Sequence, residues 1–380
     1  MEYMDRRDAK FEDLKKFISE QRNLAEEFVT AVSPKDTIIL WGGGIALYWY
    51  NKFFQKRGIQ PSFIIDKNPN QQGKVLYGMK VVSPAEVLGM QNWDKAKFVV
   101  TAPKYRDEII NEIRQLFGNV KIYSFEAEIY YTFIPDVKQY REYLLENFDT
   151  LRDMYYEFSD EKSKDTLVAF VKGRISAEQE YFIRTMVPEQ YFPKDIIQLS
   201  ADEVIVEAGS NDGRTLKEMI DITNGKFKRI YCFEPDRICI EMLKKIITDS
   251  KKPINLVRKG VGASKSEVRF KTDSIMGGSR VVTDEDYDYK IDITPIDDAI
   301  DEKVTMMKMD IEGLEFDALQ GAERILREDM PKLAICVYHD KEDIIRIWQY
   351  LKNVQPKYKF YLRHHNWGAT ETVLYALPEI

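Results

Sequence analysis

The most constraining feature of this 380-residue chain is an apolar run that ends in an acidic residue and a glycine-rich turn, at Val204–Gly213. A helix is expected to begin near Thr215, and a second apolar run ends in Glu234, 21 residues after Gly213. A strand, a tight turn, a helix and a second strand with a carboxylate at its tip form a nucleotide-binding βαβ unit. Because NAD and S-adenosylmethionine (SAM) both fit this spacing, the motif alone does not select the cofactor.

Composition and charge narrow the class of protein. The length is sufficient for two or three domains, and the net charge of −7 argues against general nucleic-acid binding, which requires a basic face. The three cysteines, Cys232, Cys239 and Cys336, form no metal-type pair and fit a reducing compartment. The charged N-terminal segment lacks a signal-like apolar core, and no apolar run is long enough to span a bilayer. We therefore expect a cytoplasmic protein with no membrane span.

Residues 1–35 are predicted to form an N-terminal helical segment. Apolar residues recur at three- and four-residue steps over 5–32, which is typical of one amphipathic helix. Its apolar face must pack on a neighbouring domain or on a second copy of the chain. A homodimer through this helix, or through the connector helices described next, is one interpretation.

Residues 36–130 are predicted to form a small Rossmann-like α/β domain, and residues 131–200 a helical connector. Apolar strands at 37–41, 62–66 and 98–102 alternate with helical segments, and Gly42–Gly44 follows the first strand. Leu47 occupies the position of the third glycine of the dinucleotide fingerprint. A nucleotide or nucleotide-sugar site and a docking domain without a ligand both remain open for this domain.

Residues 201–380 are predicted to form a second α/β domain, and its last two strands distinguish between the cofactors. Tyr358–Arg363 and Glu371–Ala376 are apolar strands joined by a loop that is too short for a crossover helix. They must therefore pair antiparallel. A parallel sheet that ends in an antiparallel hairpin is the layout of class I SAM-dependent methyltransferases, whereas dinucleotide-binding sheets continue with a further βαβ crossover.

Five segments of this domain also resemble the FkbM-type methyltransferase family, over about 201–377. They are Glu207–Gly213, Phe233–Asp236, Met309–Gly313, Tyr338–His339, and Leu362–His365 followed by Glu371–Ala376. Glu207 departs from the Asp that many members have. The resemblance implies SAM-dependent O-methylation of a hydroxyl on a sugar, glycan or secondary metabolite. An NAD-dependent sugar-modifying oxidoreductase and a binding protein with an inactive methyltransferase fold are the alternatives.

The predicted cofactor contacts follow the ends of the strands. The glycine turn is expected to surround the methionine end of SAM, Glu234 to accept hydrogen bonds from the ribose, and the segment that contains Gly262 to flank the adenine. The full set is Glu207, Gly209, Ser210, Asn211, Asp212, Gly213, Thr215, Glu234, Pro235, Gly262, Ser264 and Asp310.

All three histidines of the chain follow strand ends, where ligands of open α/β sheets bind. His339, His364 and His365 are candidate general bases because an imidazole titrates near neutral pH, and one of the adjacent pair is expected to be structural. Asp310 would orient the acceptor. Glu312 is a further catalytic candidate, although a favourable charge at a helix start also explains it.

No dense metal-ligand motif is present, so a metal-independent reaction is favoured. Asp310 with His339 can nevertheless hold a divalent cation, since carboxylate and imidazole suit Mg, Mn or Fe.

Overall fold

The computed structural model describes residue 11 and residues 13–91, 93–129, 136–272 and 279–379. These residues form two compact units. The first comprises the described residues up to Asp149, with Asp165–Met186 and Asn366–Thr370, and the second comprises Thr150–Lys164, Val187–His365 and the residues from Glu371. The helices predicted as a separate connector over 131–200 are divided between the two units. Within the described ranges, no helix is both long and apolar enough to cross a membrane.

The first unit contains a six-stranded sheet in the order β3-β4-β2-β1-β5-β6. All its pairs are parallel except the β3–β4 hairpin. The central strands are buried along their whole length, as expected when helices cover both faces of a parallel sheet. The strands are β1 (Ile38–Trp41), β2 (Phe63–Ile65), β3 (Val75–Leu76), β4 (Met79–Val82), β5 (Lys97–Val100) and β6 (Lys121–Tyr123).

The helix predicted over 5–32 is interrupted at Gln21–Asn23, where the Asn23 side chain accepts a hydrogen bond from the Glu26 amide and caps a second helix. Residues 5–10 and 12 lie outside the described residues. The helices from here to residue 185 are α1 (13–20), α2 (Leu24–Ala31), α3 (Leu47–Lys56), α4 (Pro84–Leu88), α5 (Arg106–Phe117), α6 (Val137–Glu146), α7 (Phe148–Glu157), α8 (Glu161–Ser176) and α9 (Gln179–Thr185). Single 3-10 turns cover Trp93–Lys95 and Pro103–Tyr105.

The glycine turn of the first unit is held by the acidic residue at the tip of β2. Gly42 has φ 121°, and the Gly43 amide donates to Asp66 Oδ2 at 2.8 Å. Asp66 Oδ1 also accepts from the Asn68 amide at 2.8 Å. Each oxygen therefore accepts one loop amide, which fixes the orientation of the carboxylate. Nucleotide binding by this unit stays a prediction.

The second unit contains a seven-stranded sheet in the order β16-β17-β15-β14-β7-β8-β9. Its strands are β7 (Val204–Ala208), β8 (Arg229–Phe233), β9 (Ile254–Val257), β14 (Met306–Met309), β15 (Lys332–Cys336), β16 (Tyr358–His364) and β17 (Thr372–Pro378). Its helices are α10 (Arg214–Ile222), α11 (Arg237–Ser250), α12 (Ile296–Ala299), α13 (Glu315–Gln320), α14 (Glu323–Glu328) and α15 (Asp343–Val354).

The predicted terminal hairpin is confirmed. β17 lies between β15 and β16 and runs antiparallel to both, with Leu362 opposite Leu374 in the hairpin. The other five strands of the sheet are parallel to one another; they are β7, β8, β9, β14 and β15. This is the class I SAM-methyltransferase sheet that the sequence predicts.

The segments 267–271 and 290–294 are predicted from the sequence to form an antiparallel insertion, with a turn at 276–279 between them. The insertion is present and contains two further strands. β11 (Ser266–Lys271) and β13 (Tyr289–Thr294) pair antiparallel, and β10 (Gly260–Val261) and β12 (Arg280–Val282) complete a four-stranded sheet. Of the turn predicted at Met276–Ser279, only Ser279 lies among the described residues.

The sequence predicts a single helix over about 315–327, and the structure divides it into α13 and α14 at Gly321. A Cβ at Gly321 would lie 2.1 Å from the Gly262 carbonyl oxygen. Close packing of this backbone on the segment after β10 therefore requires glycine, and the chain turns there.

A buried arginine fixes β16 within the second unit. The Arg363 side chain is 1% exposed, and its guanidinium binds Asp160 at 2.6 Å and Asp195 at 3.2 Å. It also donates to Ser163 Oγ at 2.9 Å. Breaking a buried ion pair by removing one partner is strongly destabilising, because the other charge stays uncompensated.

We expect Arg363→Leu to lower the free energy of unfolding by about 3 kcal/mol, measured by urea titration. Lys352→Ala removes the more exposed ion pair with Glu157 and is the control, with an expected loss below about 1 kcal/mol. Equal losses in the two variants would contradict this account of Arg363.

Candidate active site

A cavity of about 710 Å³, part of it open to solvent, lies at the carboxyl ends of β7, β8 and β14 in the second unit. This is the edge at which open α/β sheets bind ligands. The four-stranded sheet forms the opposite wall. The lining residues are Gly209, Asn211, Phe233, Glu234, Pro235, Asp236, Cys239, Gly260, Val261, Phe270, Ser279, Arg280, Val281, Ile291, Ile293, Asp310, Ile311, Glu312 and Leu314.

The glycine turn after β7 is packed tightly against the end of β14. Gly209 has φ 78°, and a Cβ there would lie 1.8 Å from the Asp310 carbonyl oxygen. The buried Lys308 ammonium donates to the Gly209 carbonyl at 2.7 Å. Only glycine fits this position, for both its backbone conformation and the space available.

Glu234 is a buried carboxylate on the cavity wall. Its Oε2 accepts from the Asn211 amide at 2.7 Å and its Oε1 from the Asp236 amide at 2.8 Å. Burial raises the pKa of Glu234 to about 7. Each oxygen keeps a lone pair, so the carboxylate can also accept hydrogen bonds from a ligand.

The structure places Glu207 below the turn and not in the cavity. It was expected to reach the cofactor's amino group or the loop amides, but its Oε2 accepts from Ser210 Oγ at 2.9 Å and from Cys232 Sγ at 3.3 Å. Both Glu207 and Ser210 are buried. The cause is strand alternation: Glu207 belongs to β7, and its side chain points into the layer beside the sheet.

The other predicted cofactor residues divide into two groups. Gly209, Asn211, Glu234, Pro235 and Asp310 line the cavity. The remaining residues are not among its lining: they are Asp212, Gly213, Thr215, Gly262 and Ser264. Asp212 instead pairs with Arg214 at 2.9 Å, and Ser264 is exposed. A contact of any of these residues with a cofactor stays a prediction.

The residues predicted for the site from the sequence do not include the apolar wall of the cavity. Phe270 of β11 and Ile291 and Ile293 of β13 form one apolar cluster on the four-stranded sheet. The signal was present in the sequence, because apolar residues alternate with polar ones over β13 and mark a face that must be covered. A planar aromatic ring would fit against this wall.

At the other end of the cavity, His339 is surrounded by carboxylates. Its Nε2 lies 3.5 Å from Asp310 Oδ1 and 3.7 Å from Glu312 Oε2, and its Nδ1 lies 3.0 Å from Glu315 Oε1. Burial by itself lowers the pKa of His339, but the three carboxylates raise it well above the ordinary value. An imidazolium neither accepts a proton nor binds a metal ion. Without a bound cation, this environment therefore disfavours the predicted role of His339 as general base.

Asp310 accepts hydrogen bonds from two tyrosines. Tyr191 donates to Oδ2 at 2.6 Å and Tyr338 to Oδ1 at 3.3 Å. Burial opposes ionisation, but the charges of Lys308 and His339 hold the pKa of Asp310 below its ordinary value. Asp310 is therefore a carboxylate in a fixed orientation at the cavity wall.

The two adjacent histidines are bound within the hairpin region. His364 Nδ1 lies 2.9 Å from Thr372 Oγ1, whereas His365 bridges the Val187 carbonyl and the Tyr375 hydroxyl at 2.9 and 2.8 Å. Burial lowers the pKa of His365 to about 4. Neither residue lines the cavity. The structure thus brings Asp310, Glu312 and His339 together. His364 and His365, the other two predicted catalytic histidines, do not join them.

The fold and the position of the cavity define a class I SAM-methyltransferase architecture. Residues 207–360 match the family model of the methyltransferase FkbM domain. This part of the chain is therefore similar to the FkbM methyltransferase domain, which confirms the resemblance predicted from the sequence.

Two solved methyltransferase structures are similar to the chain, one over nearly its whole length and the other over about half of it. The crystal structure of methyltransferase FkbM from Methylobacillus flagellatus KT matches 97% of this chain and 98% of that chain, with a TM-score of 0.76 and 24% identity. A putative methyltransferase from Streptococcus mutans in complex with SAH matches 47% of this chain and 90% of its own, with a TM-score of 0.31 and 12% identity. None of the curated proteins compared with the chain matches it.

We expect Gly209→Ala to lower the free energy of unfolding by at least about 2 kcal/mol, because the new Cβ meets a backbone carbonyl and φ is positive. Thermal unfolding measures the loss. Gly44→Ala, at a glycine with open space around it, is the control and should change little. A Gly209→Ala variant as stable as the wild type would show that the turn can move away from β14.

Proposed function

We infer that this protein is a SAM-dependent O-methyltransferase that acts on a hydroxyl of a sugar, glycan or secondary metabolite. The observation that carries the proposal is the buried Glu234 carboxylate, which faces one cavity together with the Gly209 turn and the carboxylates of Asp310 and Glu312. One end of the cavity thus suits a nucleoside and the other suits a polar acceptor.

The nucleoside end fits SAM by its chemistry. A carboxylate at the end of the second strand accepts hydrogen bonds from vicinal ribose hydroxyls, and Glu234 has lone pairs free for that purpose. The wall that includes Phe270 and Ile293 would cover the adenine. When bound, SAM supplies a methyl group on a sulfonium centre, and the protein's task is to orient the acceptor and exclude water.

The acceptor end is polar and negatively charged. Asp310 and Glu312 line it, and a hydroxyl donates hydrogen bonds readily to carboxylates. Tyr191 and Tyr338 hold Asp310 in place, so the acceptor oxygen would meet a preorganised partner. This chemistry favours a hydroxyl-rich acceptor over an apolar one.

Two alternatives are less well supported. An NAD-dependent oxidoreductase would be expected to continue its sheet with parallel crossovers, whereas β17 is antiparallel to its neighbours. A binding protein without activity would not need a buried carboxylate with a raised pKa at the cavity, since burying such a group costs free energy. Cytoplasmic localisation, the absence of nucleic-acid partners and a homodimer stay predictions.

Added S-adenosylhomocysteine (SAH) should raise the melting temperature of the wild type, because a ligand that binds only the native state stabilises it. Glu234→Gln should weaken SAH binding about 10- to 100-fold, as expected for hydrogen bonds to a charged acceptor, measured by calorimetry. Glu241→Gln changes an exposed carboxylate of α11 and should leave the affinity unaltered. NADH that stabilises the protein where SAH does not would favour the oxidoreductase.

The affinity for SAH should depend on pH through Glu234. Its pKa of about 7 in the free protein means that below this pH the carboxyl holds a proton, which must leave before it can accept from the ribose. Binding should therefore weaken by up to about tenfold per pH unit below 7 and level off above it. Calorimetric titrations from pH 5.5 to 8.5 test this, and Glu234→Gln should flatten the profile. A wild-type profile without this slope contradicts the role of Glu234.

A further inference from the structure

Three potential metal-ligand atoms come together beside one wall of the cavity, which Asp310 and Glu312 line and behind which His339 lies. Asp310 Oδ1 lies 3.5 Å and Glu312 Oε2 3.7 Å from His339 Nε2. One ligand atom from each residue fits within 4.8 Å of the others. Neighbouring ligands of an octahedral Mg²⁺ with bonds of about 2.1 Å are about 3 Å apart, so small side-chain movements would complete the geometry.

The Nε2 atom of His339 is the second observation that points to a ligand. The side chain is 4% exposed, and this nitrogen has no hydrogen-bond partner in the described part of the chain. A buried polar atom without a hydrogen bond destabilises the fold and is rare in native structures. A cation bound to Asp310, Glu312 and His339 would explain why this nitrogen faces two carboxylates.

The other nitrogen of His339 lies close to the kind of partner that metal-bound histidines have. Nδ1 is 3.0 Å from Oε1 of the fully buried Glu315, although the contact does not have the geometry of a hydrogen bond. Glu315 in turn accepts from the Ile311 amide at 2.8 Å and the Gly313 amide at 3.1 Å. A carboxylate that orients a histidine from behind is the usual second layer of a metal site.

The backbone is strained at Glu312, the second of the two acidic ligands. Glu312 has φ 58°, and Gly313, where φ is 100°, completes the turn. A left-handed conformation at a residue other than glycine is costly and is frequent at functional sites. Here the turn directs the Glu312 side chain back toward His339.

The charge of the cluster also favours a cation. The carboxylates of Asp310, Glu312 and Glu315 surround one imidazole, so the group is negative whether that imidazole is neutral or protonated. The nearby Lys308 ammonium donates to the Gly209 carbonyl instead. A divalent cation would offset the remaining charge.

We propose that Asp310, Glu312 and His339 bind one hard divalent cation, Mg²⁺ or Mn²⁺, at the acceptor end of the cavity. Oxygen-rich sites favour these ions, and three protein ligands leave positions of an octahedral ion for water or for the acceptor oxygen. The catalytic part rests on the proposed function. A hydroxyl bound to the cation has a lowered pKa and loses its proton to solvent. Its oxygen then bonds to the methyl carbon, whose bond to sulfur breaks with the electron pair going to the sulfur of SAH.

The test is a titration of the full-length, EDTA-treated protein with Mn²⁺ alone, followed by electron paramagnetic resonance of free Mn²⁺. We expect one Mn²⁺ per chain with a Kd below about 1 mM. Asp310→Asn and Glu312→Gln should each weaken binding more than about 10-fold. Nitrogen coupling in the pulsed spectrum of bound Mn²⁺ should disappear in His339→Gln.

Glu371→Gln is the matched control, because this buried carboxylate interacts electrostatically with Asp310 but is outside the three-residue set. It should weaken Mn²⁺ binding by less than about threefold, a purely electrostatic effect. If Asp310→Asn does not fold, the partly exposed Glu312→Gln decides the question.

Absence of stoichiometric Mn²⁺ binding, or equal weakening by Glu371→Gln, overturns the site and leaves an ion network around an imidazolium. SAH binding measured in EDTA separates the two proposals. If SAH binds and Mn²⁺ does not, only the cation site fails. If Mn²⁺ binds as expected and SAH does not, the cation site stands and the proposed function fails.

Discussion

The contact between the Gly209 backbone and the Asp310 carbonyl determines the arrangement of the whole site. It brings the glycine turn after β7 against the end of β14, with space only for a hydrogen atom on the Gly209 Cα. Lys308 supports the same contact from within β14 by donating to the Gly209 carbonyl. As a result, Gly209, Asp310 and Glu312 line the same cavity as Glu234.

The polar groups at the cavity wall differ in how many hydrogen-bond partners they have. Glu234 is held by two backbone amides, and Glu315 by two others, so these carboxylates have fixed orientations. Asp310 is fixed by tyrosine hydroxyls. The buried Nε2 atom of His339 has no hydrogen-bond partner among the described residues. A buried polar group of this kind is costly to the fold, which is typical of a site where stability is given up for binding.

Much of the second unit could be predicted because its signals are local. Continuous apolar runs indicate buried parallel strands, the spacing from the glycine turn to Glu234 indicates a βαβ unit, and a short loop between the last two strands requires a hairpin. The number of strands in the four-stranded sheet was underestimated because some of these strands are short and partly exposed. The N-terminal helix was predicted as continuous because apolar periodicity persists across Asn23, whereas the capping hydrogen bond of that residue ends the pattern.

The sequence by itself determined the order of the strands along the chain, the glycine turn and the acidic residues Glu234 and Asp310 that follow two of the strands, since these depend on periodicity and spacing. Only the tertiary structure decided which of those residues meet. Glu207 is hydrogen-bonded to Ser210 beside the glycine turn. His364 and His365 are hydrogen-bonded to residues of β17 in the hairpin. The turn after Asp310 brings Glu312 and Glu315 to His339. The physical reason is that side-chain direction and pKa depend on packing, burial and charges contributed by residues distant in the chain.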